Sequence, residues 1–309
     1  MTQRALLSGY SGTADDLQLV QISPDGHFQR LSSIHHGQNP SFCCRLGTTI
    51  YAAAELPQGA SVTAYTLQGD TLRPLRQLEL PGMRGLCHLT CIQGVLYGAC
   101  YESGHFLAVD AELSQLLWSF QPTGTPHAHW TQGTADALYM ADLGNDCLYR
   151  FVLRHGLPAS APVALTFPAG SGPRQPLPLP DGGCAVVCEV DGMLRFLHAD
   201  GSSSTALPAS HTNVPNAPGG ACRLKNTLFV GNRGPNTVSA FHLDPAGVSL
   251  IGEWPTGNWP RHLSTLGENL LLTACSRDDS VWLYRWDGQQ LSPLDRLHMH
   301  QAACVLPIP

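Results

Sequence analysis

Short apolar runs separated by polar turns recur along the whole chain. Between residues 125 and 151 the sequence reads TPHAHW, a polar turn, ALYMADL, a GND turn and CLYRF. Each run is too short for a stable helix and is bounded by turn residues. This predicts antiparallel strands joined by tight turns. No segment carries a long apolar period of about 3.6 residues, so little helix is expected.

The pattern repeats. The apolar anchor Tyr139 has counterparts at Leu7, Tyr51, Tyr97, Ala185, Phe229 and Leu272, with successive spacings of 44, 46, 42, 46, 44 and 43 residues. A second anchor falls at Val20, Tyr65, Val109, Phe151, Phe196, Phe241 and Tyr284, with spacings of 45, 44, 42, 45, 45 and 43. Another strand-like segment lies between copies, for example residues 72–80 and 116–120. Four strands per copy and seven copies at this period predict an all-β, seven-bladed β-propeller with four-stranded antiparallel blades, spanning residues 1–309 as a single domain. Two β-sandwiches would not keep a sevenfold period, and a β-helix would show shorter, more uniform coils. The first copy opens at its second strand, and the chain ends in a stray strand-like piece, residues 301–308. That tail is expected to supply the missing strand of the first blade and close the ring.

Composition narrows the class. Of 309 residues, 43% are hydrophobic and 13% charged, which suits a packed core rather than disorder. The net charge is −6, there is one lysine, Lys225, and no basic run. Neither a nucleic-acid partner nor a membrane partner is expected. No apolar run reaches membrane-spanning length, and the first residues lack the apolar stretch of a secretory signal. The eleven cysteines are odd in number, include no CxxC, and mostly sit in apolar strands. Buried free thiols in a cytoplasmic protein are therefore expected.

Blade geometry sorts the polar residues. The start of each first strand and the end of each second strand should share one mouth of the channel. That mouth collects His127, His129, Arg174, Glu189, Arg233, Arg261 and His262, with Glu55, His88 and Asp142 nearby. Arginine forks match carboxylate and phosphate oxygens, and a histidine and a glutamate beside them could deprotonate a water. The plainer alternative is that Arg174 and Arg261 pair with Glu189 and Asp142 to tie blades together. His127 and His129 read as one face of a strand, which would suit a metal pair, but no third ligand stands at clear spacing. No metal or other cofactor is expected. Trp118, Trp254 and Trp282 read as packing between blades, and residues 256–260 as the loop that delivers Arg261.

Several short pieces together resemble the lactonase family of seven-bladed propellers, which includes a bacterial type of 6-phosphogluconolactonase and the fungal carboxymuconate cyclases. They are residues 51–55 (YAAAE), 126–129 (PHAH), 142–144 (DLG), 172–174 (GPR), Glu189, 231–234 (GNRG), 259–262 (WPRH) and the closing 303–305 (ACV). Gln175 departs from the family's Gly-Pro-Arg-His motif, and Cys100, Cys188 and Cys275 stand where many members carry asparagine. The resemblance implies a histidine–arginine–glutamate site at His127 or His129, Arg174, Glu189 and Arg233 or Arg261. It further implies a cytoplasmic hydrolase of a small anionic lactone, foremost 6-phosphogluconolactone, acting in carbohydrate metabolism through the pentose phosphate pathway. In that reading Glu189 or His127 activates water, and Arg233, Arg261, His262, Glu55 and Asp142 surround the substrate. A carboxymuconate-type cyclase and a non-catalytic ligand-binding propeller are the alternatives. A monomer or homodimer is expected.

Overall fold

The structure is a computed structural model that describes residues 2–12, 15–244 and 247–308. Its regular elements are all strands. The first blade holds β1 (Gln3–Gly9), β2 (Leu17–Ile22) and β3 (Phe28–Ile34). The second holds β4 (Cys43–Leu46), β5 (Thr49–Ala53), β6 (Ser61–Gln68) and β7 (Thr71–Glu79). The third comprises β8 (Leu86–Ile92), β9 (Val95–Cys100), β10 (His105–Asp110) and β11 (Leu116–Phe120). The fourth comprises β12 (Ala128–Gly133), β13 (Ala137–Asp142) and β14 (Cys147–Arg154), with an outer strand broken into β15 (Leu157–Pro158) and β16 (Val163–Thr166). The fifth is β17 (Pro173–Pro178), β18 (Cys184–Cys188), β19 (Met193–Leu197) and β20 (Ser203–Pro208). The sixth is β21 (Ala217–Leu224), β22 (Thr227–Arg233), β23 (Thr237–Asp244) and β24 (Gly247–Pro255). The seventh is β25 (Pro260–Leu266), β26 (Leu270–Cys275), β27 (Ser280–Trp286) and β28 (Leu291–His298), after which β29 (Ala302–Ile308) pairs antiparallel with β1. The tail therefore completes the first blade, as expected, and the seven antiparallel sheets are the blades of a β-propeller.

Both sets of anchors land where the period puts them. The first set lies on the second strand of every blade and the second set on the third strand, and all are buried. In five blades the third-strand anchor pairs with the residue just before the second-strand anchor, as in Ile50↔Tyr65 and Leu271↔Tyr284. The first and fifth blades differ by one residue, with Val20 opposite Ala5 and Phe196 opposite Ala185.

The chain divides into two compact units. One comprises residues 1–40, 69–71 and 208–309; the other comprises 41–68 and 72–207. In the second unit the first strands β4, β8, β12 and β17 lie side by side in order. Core residues fill the space between neighbouring blades there: Tyr97, Phe106 and Ala108 of the third blade pack on Leu138, Met140 and Phe151 of the fourth. Trp118 meets Phe151 edge to face at 5.3 Å. In the first unit Trp254, Trp282 and Trp286 join Phe229 and Tyr284 between the sixth and seventh blades. The three tryptophans named from sequence thus pack between blades. Burying each large side chain contributes about 2 kcal/mol, so these seams hold neighbouring blades together.

All eleven cysteines are free, and most are buried. Burial pushes the Cys275 thiol up to about 11 and the Cys184 and Cys188 thiols up to about 12, as expected for unreactive core positions.

Candidate active site

The first strands share a local irregularity that sequence alternation does not show. In the third blade Leu86 faces Cys100 and His88 faces Ala99, which leaves Cys87 as an extra residue. The same step leaves out His129 in the fourth blade, Arg174 in the fifth, Arg261 in the seventh and Ala303 of β29 in the first. A bulge interrupts the in–out alternation and re-aims the side chain of the extra residue. It brings His129 and Arg174, on the adjacent strands β12 and β17, into contact.

Arg174 is the centre of the group. Its Nη1 donates to His129 Nε2 at 2.6 Å and also to Glu189 Oε2. An arginine nitrogen is always protonated, so His129 Nε2 must accept, and this tautomer carries its proton on Nδ1. Arg174 is 3% exposed and His129 5%, whereas the Glu189 side chain is 25% exposed. Glu189 is thus the member of the triplet that faces outward. Neither Nε nor Nη2 of Arg174 hydrogen-bonds to any described residue, and Nε is buried. A buried donor without a partner is costly, which makes the Nε–H, with the Nη2 amino group beside it, a candidate donor pair for a ligand oxygen.

Glu189 follows β18 and is anchored by its backbone, whose N–H donates to the Gly172 carbonyl at 2.7 Å. Asp146 shapes the preceding loop: its carboxylate accepts from the N–H groups of Gly170 and Gly172, both at 2.7 Å. Gly172 adopts φ +61°, and an added Cβ would lie 2.3 Å from Val190 Cγ2. Gly172→Ala should therefore cost about 1–2 kcal/mol, from left-handed strain and displacement of Val190. A thermal melt indistinguishable from wild type would show that the loop does not need this glycine.

Tyr101 completes the group, although no site role was assigned to it from sequence. Its ring stacks on His127 at 4.5 Å and meets His129 edge-on at 5.8 Å. Burial first, then the Glu189 charge, raises the Tyr101 hydroxyl pKa, with Arg174 opposing. The hydroxyl therefore stays protonated and able to donate. A positional signal existed: register places Tyr101 just after β9 as Glu189 is placed just after β18.

The other candidates take different places. His127 precedes β12 and His129 is the bulge residue, so the two do not form one face of a strand as the alternation suggested. His127 is half-buried, with Nδ1 3.3 Å from the Tyr101 carbonyl. Asp142 is fully buried; it accepts from the backbone N–H of His127 at 2.9 Å and from Asn145 Nδ2 at 2.7 Å. Burial raises its pKa against those hydrogen bonds. Its carboxylate holds the turn that positions His127. His88 is buried, stacked on Trp130 at 3.8 Å and hydrogen-bonded to Thr131. Gln175 is buried beside the bulge, and Glu55 is half-buried two residues beyond β5. Among the described residues no cluster of three or more histidine, cysteine, aspartate or glutamate side chains is arranged to hold a metal ion.

The remaining three candidates lie in the first unit. Arg233 ends β22 and is buried, donating from Nε to Ala217 O at 2.6 Å and from Nη2 to Pro218 O at 3.2 Å. Arg261 is the bulge residue of β25 and lies over the Tyr10 ring. His262 Nδ1 accepts from the backbone N–H of Val305 at 3.2 Å.

The model of the lactonase family, described as a seven-bladed β-propeller, matches residues 4–307. The chain belongs to this family. Solved structures share the fold at low identity. A Bacteroides fragilis protein provisionally named a 6-phosphogluconolactonase aligns at TM-score 0.90 and 21% identity, over 100% of this chain and 98% of its own. A Lactobacillus plantarum protein aligns at TM-score 0.91 and 22% identity over 100% of both chains. A Bacteroides uniformis protein with the same provisional name aligns at TM-score 0.90 and 19% identity over 99% of both. No curated protein matches the chain in sequence. In this lactonase-family chain the imidazole beside Arg174 comes from His129 on the neighbouring strand.

Among the described residues no helix is long and apolar enough to cross a membrane.

Proposed function

We propose that the chain hydrolyses a lactone at the Arg174 group, with 6-phosphogluconolactone as substrate and 6-phosphogluconate as product. The observation that carries this reading is a single guanidinium held by His129 and Glu189 through Nη1, with Nε and Nη2 left for a ligand. Opening a lactone needs a proton acceptor for the attacking water and a donor for the carbonyl oxygen as it gains charge. Glu189, the outward member, takes the proton of the water as its oxygen bonds to the carbonyl carbon. The electron pair moves onto the carbonyl oxygen, where Arg174 donates to it. Collapse of this intermediate breaks the ring C–O bond, and the departing alkoxide takes the proton back from Glu189. His129 keeps the guanidinium in place by accepting from Nη1, and Tyr101 walls the group beside both histidines. A strained cyclic ester needs only a modest lowering of its barrier, so the step proceeds without a metal.

Freshly prepared 6-phosphogluconolactone, coupled to 6-phosphogluconate dehydrogenase and corrected for spontaneous opening, is the test. Product should form faster than background in proportion to enzyme. A rate equal to background at high enzyme concentration would overturn this substrate.

A further inference from the structure

Among the arginines of the first unit that lie on aromatic rings, three involve Trp259 or Tyr10. The guanidinium carbon of Arg277 is 3.3 Å from the centroid of Trp259, and that of Arg233 is 5.3 Å from the same ring. Arg261 lies 5.2 Å from the centroid of Tyr10. Two positive charges thus share one indole and are no farther apart than those two distances combined. Like charges at such a spacing repel, and cation–π attraction offsets this only by about 0.5–2 kcal/mol per contact. Arg277 is exposed, and its side chain makes no ion pair or hydrogen bond with any described residue. Its donor fork is open, already flattened against the ring.

The loop beneath it is built at a cost. Trp259 has φ +65°, a left-handed conformation that bulky side chains rarely adopt. Asn236, itself at φ +59°, accepts from the Trp259 N–H at 2.9 Å. The Ser276 N–H donates to the Trp259 carbonyl, and the Arg277 N–H to the Asn258 carbonyl, both at 3.2 Å. These bonds stitch the tryptophan loop to the turn that carries Arg277. Strain held in place so firmly marks positions where placement matters.

We propose that Arg277, Trp259 and Arg233 form a binding site for the oxygens of a small anion, a phosphate monoester or a carboxylate. The Arg277 fork grips two oxygens, the buried Arg233 adds charge, and the indole keeps the fork flat and offers an apolar platform to the ligand's carbon skeleton. Arg277 and Trp259 are the new members, and the site stands whether or not the chain turns over a lactone.

The test is a tryptophan-fluorescence titration of the full chain with sodium phosphate and, separately, sodium acetate, at ionic strength matched with chloride. A saturable change is expected in at least one arm, and the arm that responds names the anion. The change should vanish in Trp259→Phe, which assigns it to that ring. In Arg277→Gln, an exposed substitution that leaves the core untouched, the apparent affinity should fall about tenfold or more. No saturable change with either salt, a signal unaltered in Trp259→Phe, or wild-type affinity in Arg277→Gln would each overturn the proposal.

Discussion

Arg174→Ala should lower lactone turnover by about 100- to 1,000-fold, the range seen when one donor to a developing oxyanion is removed. The same substitution takes away the nitrogen that joins His129 to Glu189. Arg174→Lys keeps the charge but removes Nε and Nη2, the donors left for the ligand oxygen, so little activity should return. Glu189→Gln tests the other half: it keeps the shape and an oxygen acceptor for Arg174 but removes the basic carboxylate, and should cost about 100-fold or more. Thermal melts of all three variants separate lost chemistry from lost fold. Glu189→Gln keeps an oxygen acceptor for Arg174 but not its counter-charge, so the melt should fall modestly while the fold persists. Wild-type rates in Arg174→Ala or Glu189→Gln would remove the group from the reaction.

Deleting residues 300–309, of which Pro309 lies outside the described residues, should unfold the first unit. β29 pairs with β1 from Arg4↔Ile308 to Gly9↔Ala302. It buries Ala302, Ala303, Cys304, Val305 and Ile308 at 5% exposure or less. Ala302 and Val305 sit in one cluster with Leu7, Val20, Leu272 and Leu283, so the loss reaches both the first and the seventh blade. Val305 and Ile308 together account for about 3–6 kcal/mol of burial, a large part of ordinary domain stability. The truncation also bares the edge of β1, an open template for pairing with other chains. Circular dichroism should show a lost or much lowered transition, and light scattering should show association. A truncated chain that melts like the full one would contradict the pairing.

The blades could be read from sequence because a repeated strand–turn rhythm survives variation in the residues that fill it. Tyr51, Tyr97 and Phe229 differ in surroundings but share one strand position, and all are buried because the same seam recurs. The broken outer strand of the fourth blade was not readable, since β15 and β16 are defined by their pairing with β14 and not by their own composition. The site was half readable. Arg174, Glu189 and the two histidines fell near the right strand ends, but alternation put His127 and His129 on one face. The bulge at His129 depends on the step between Ala128↔Asp142 and Trp130↔Ala141, a relation between two strands that neither strand states alone. Asp142 looked like a ligand-facing acid because a carboxylate at a strand end often is; here backbone N–H groups claim it. Tyr101 stands just after the second strand of its blade, as Glu189 does, but its part in the group rests on ring contacts with His127 and His129, which sequence does not state.

The recurring bulge has an evolutionary consequence. Cys87, His129, Arg174, Arg261 and Ala303 occupy the same kind of backbone socket, each shaped by its own blade's register. Exchanging the contents of one socket alters the chemistry on offer without asking the sheets to refold, because the extra residue is outside the ladder's pairing. Cys87 and Ala303 carry no charged group in their sockets and are packed into the core, so a polar side chain there must be no larger than its neighbours can admit. A scaffold of this kind separates the residues that offer chemistry from the ladder that holds the blade, so that His129, Arg174 and Arg261 can vary without altering the strand pairing beside them.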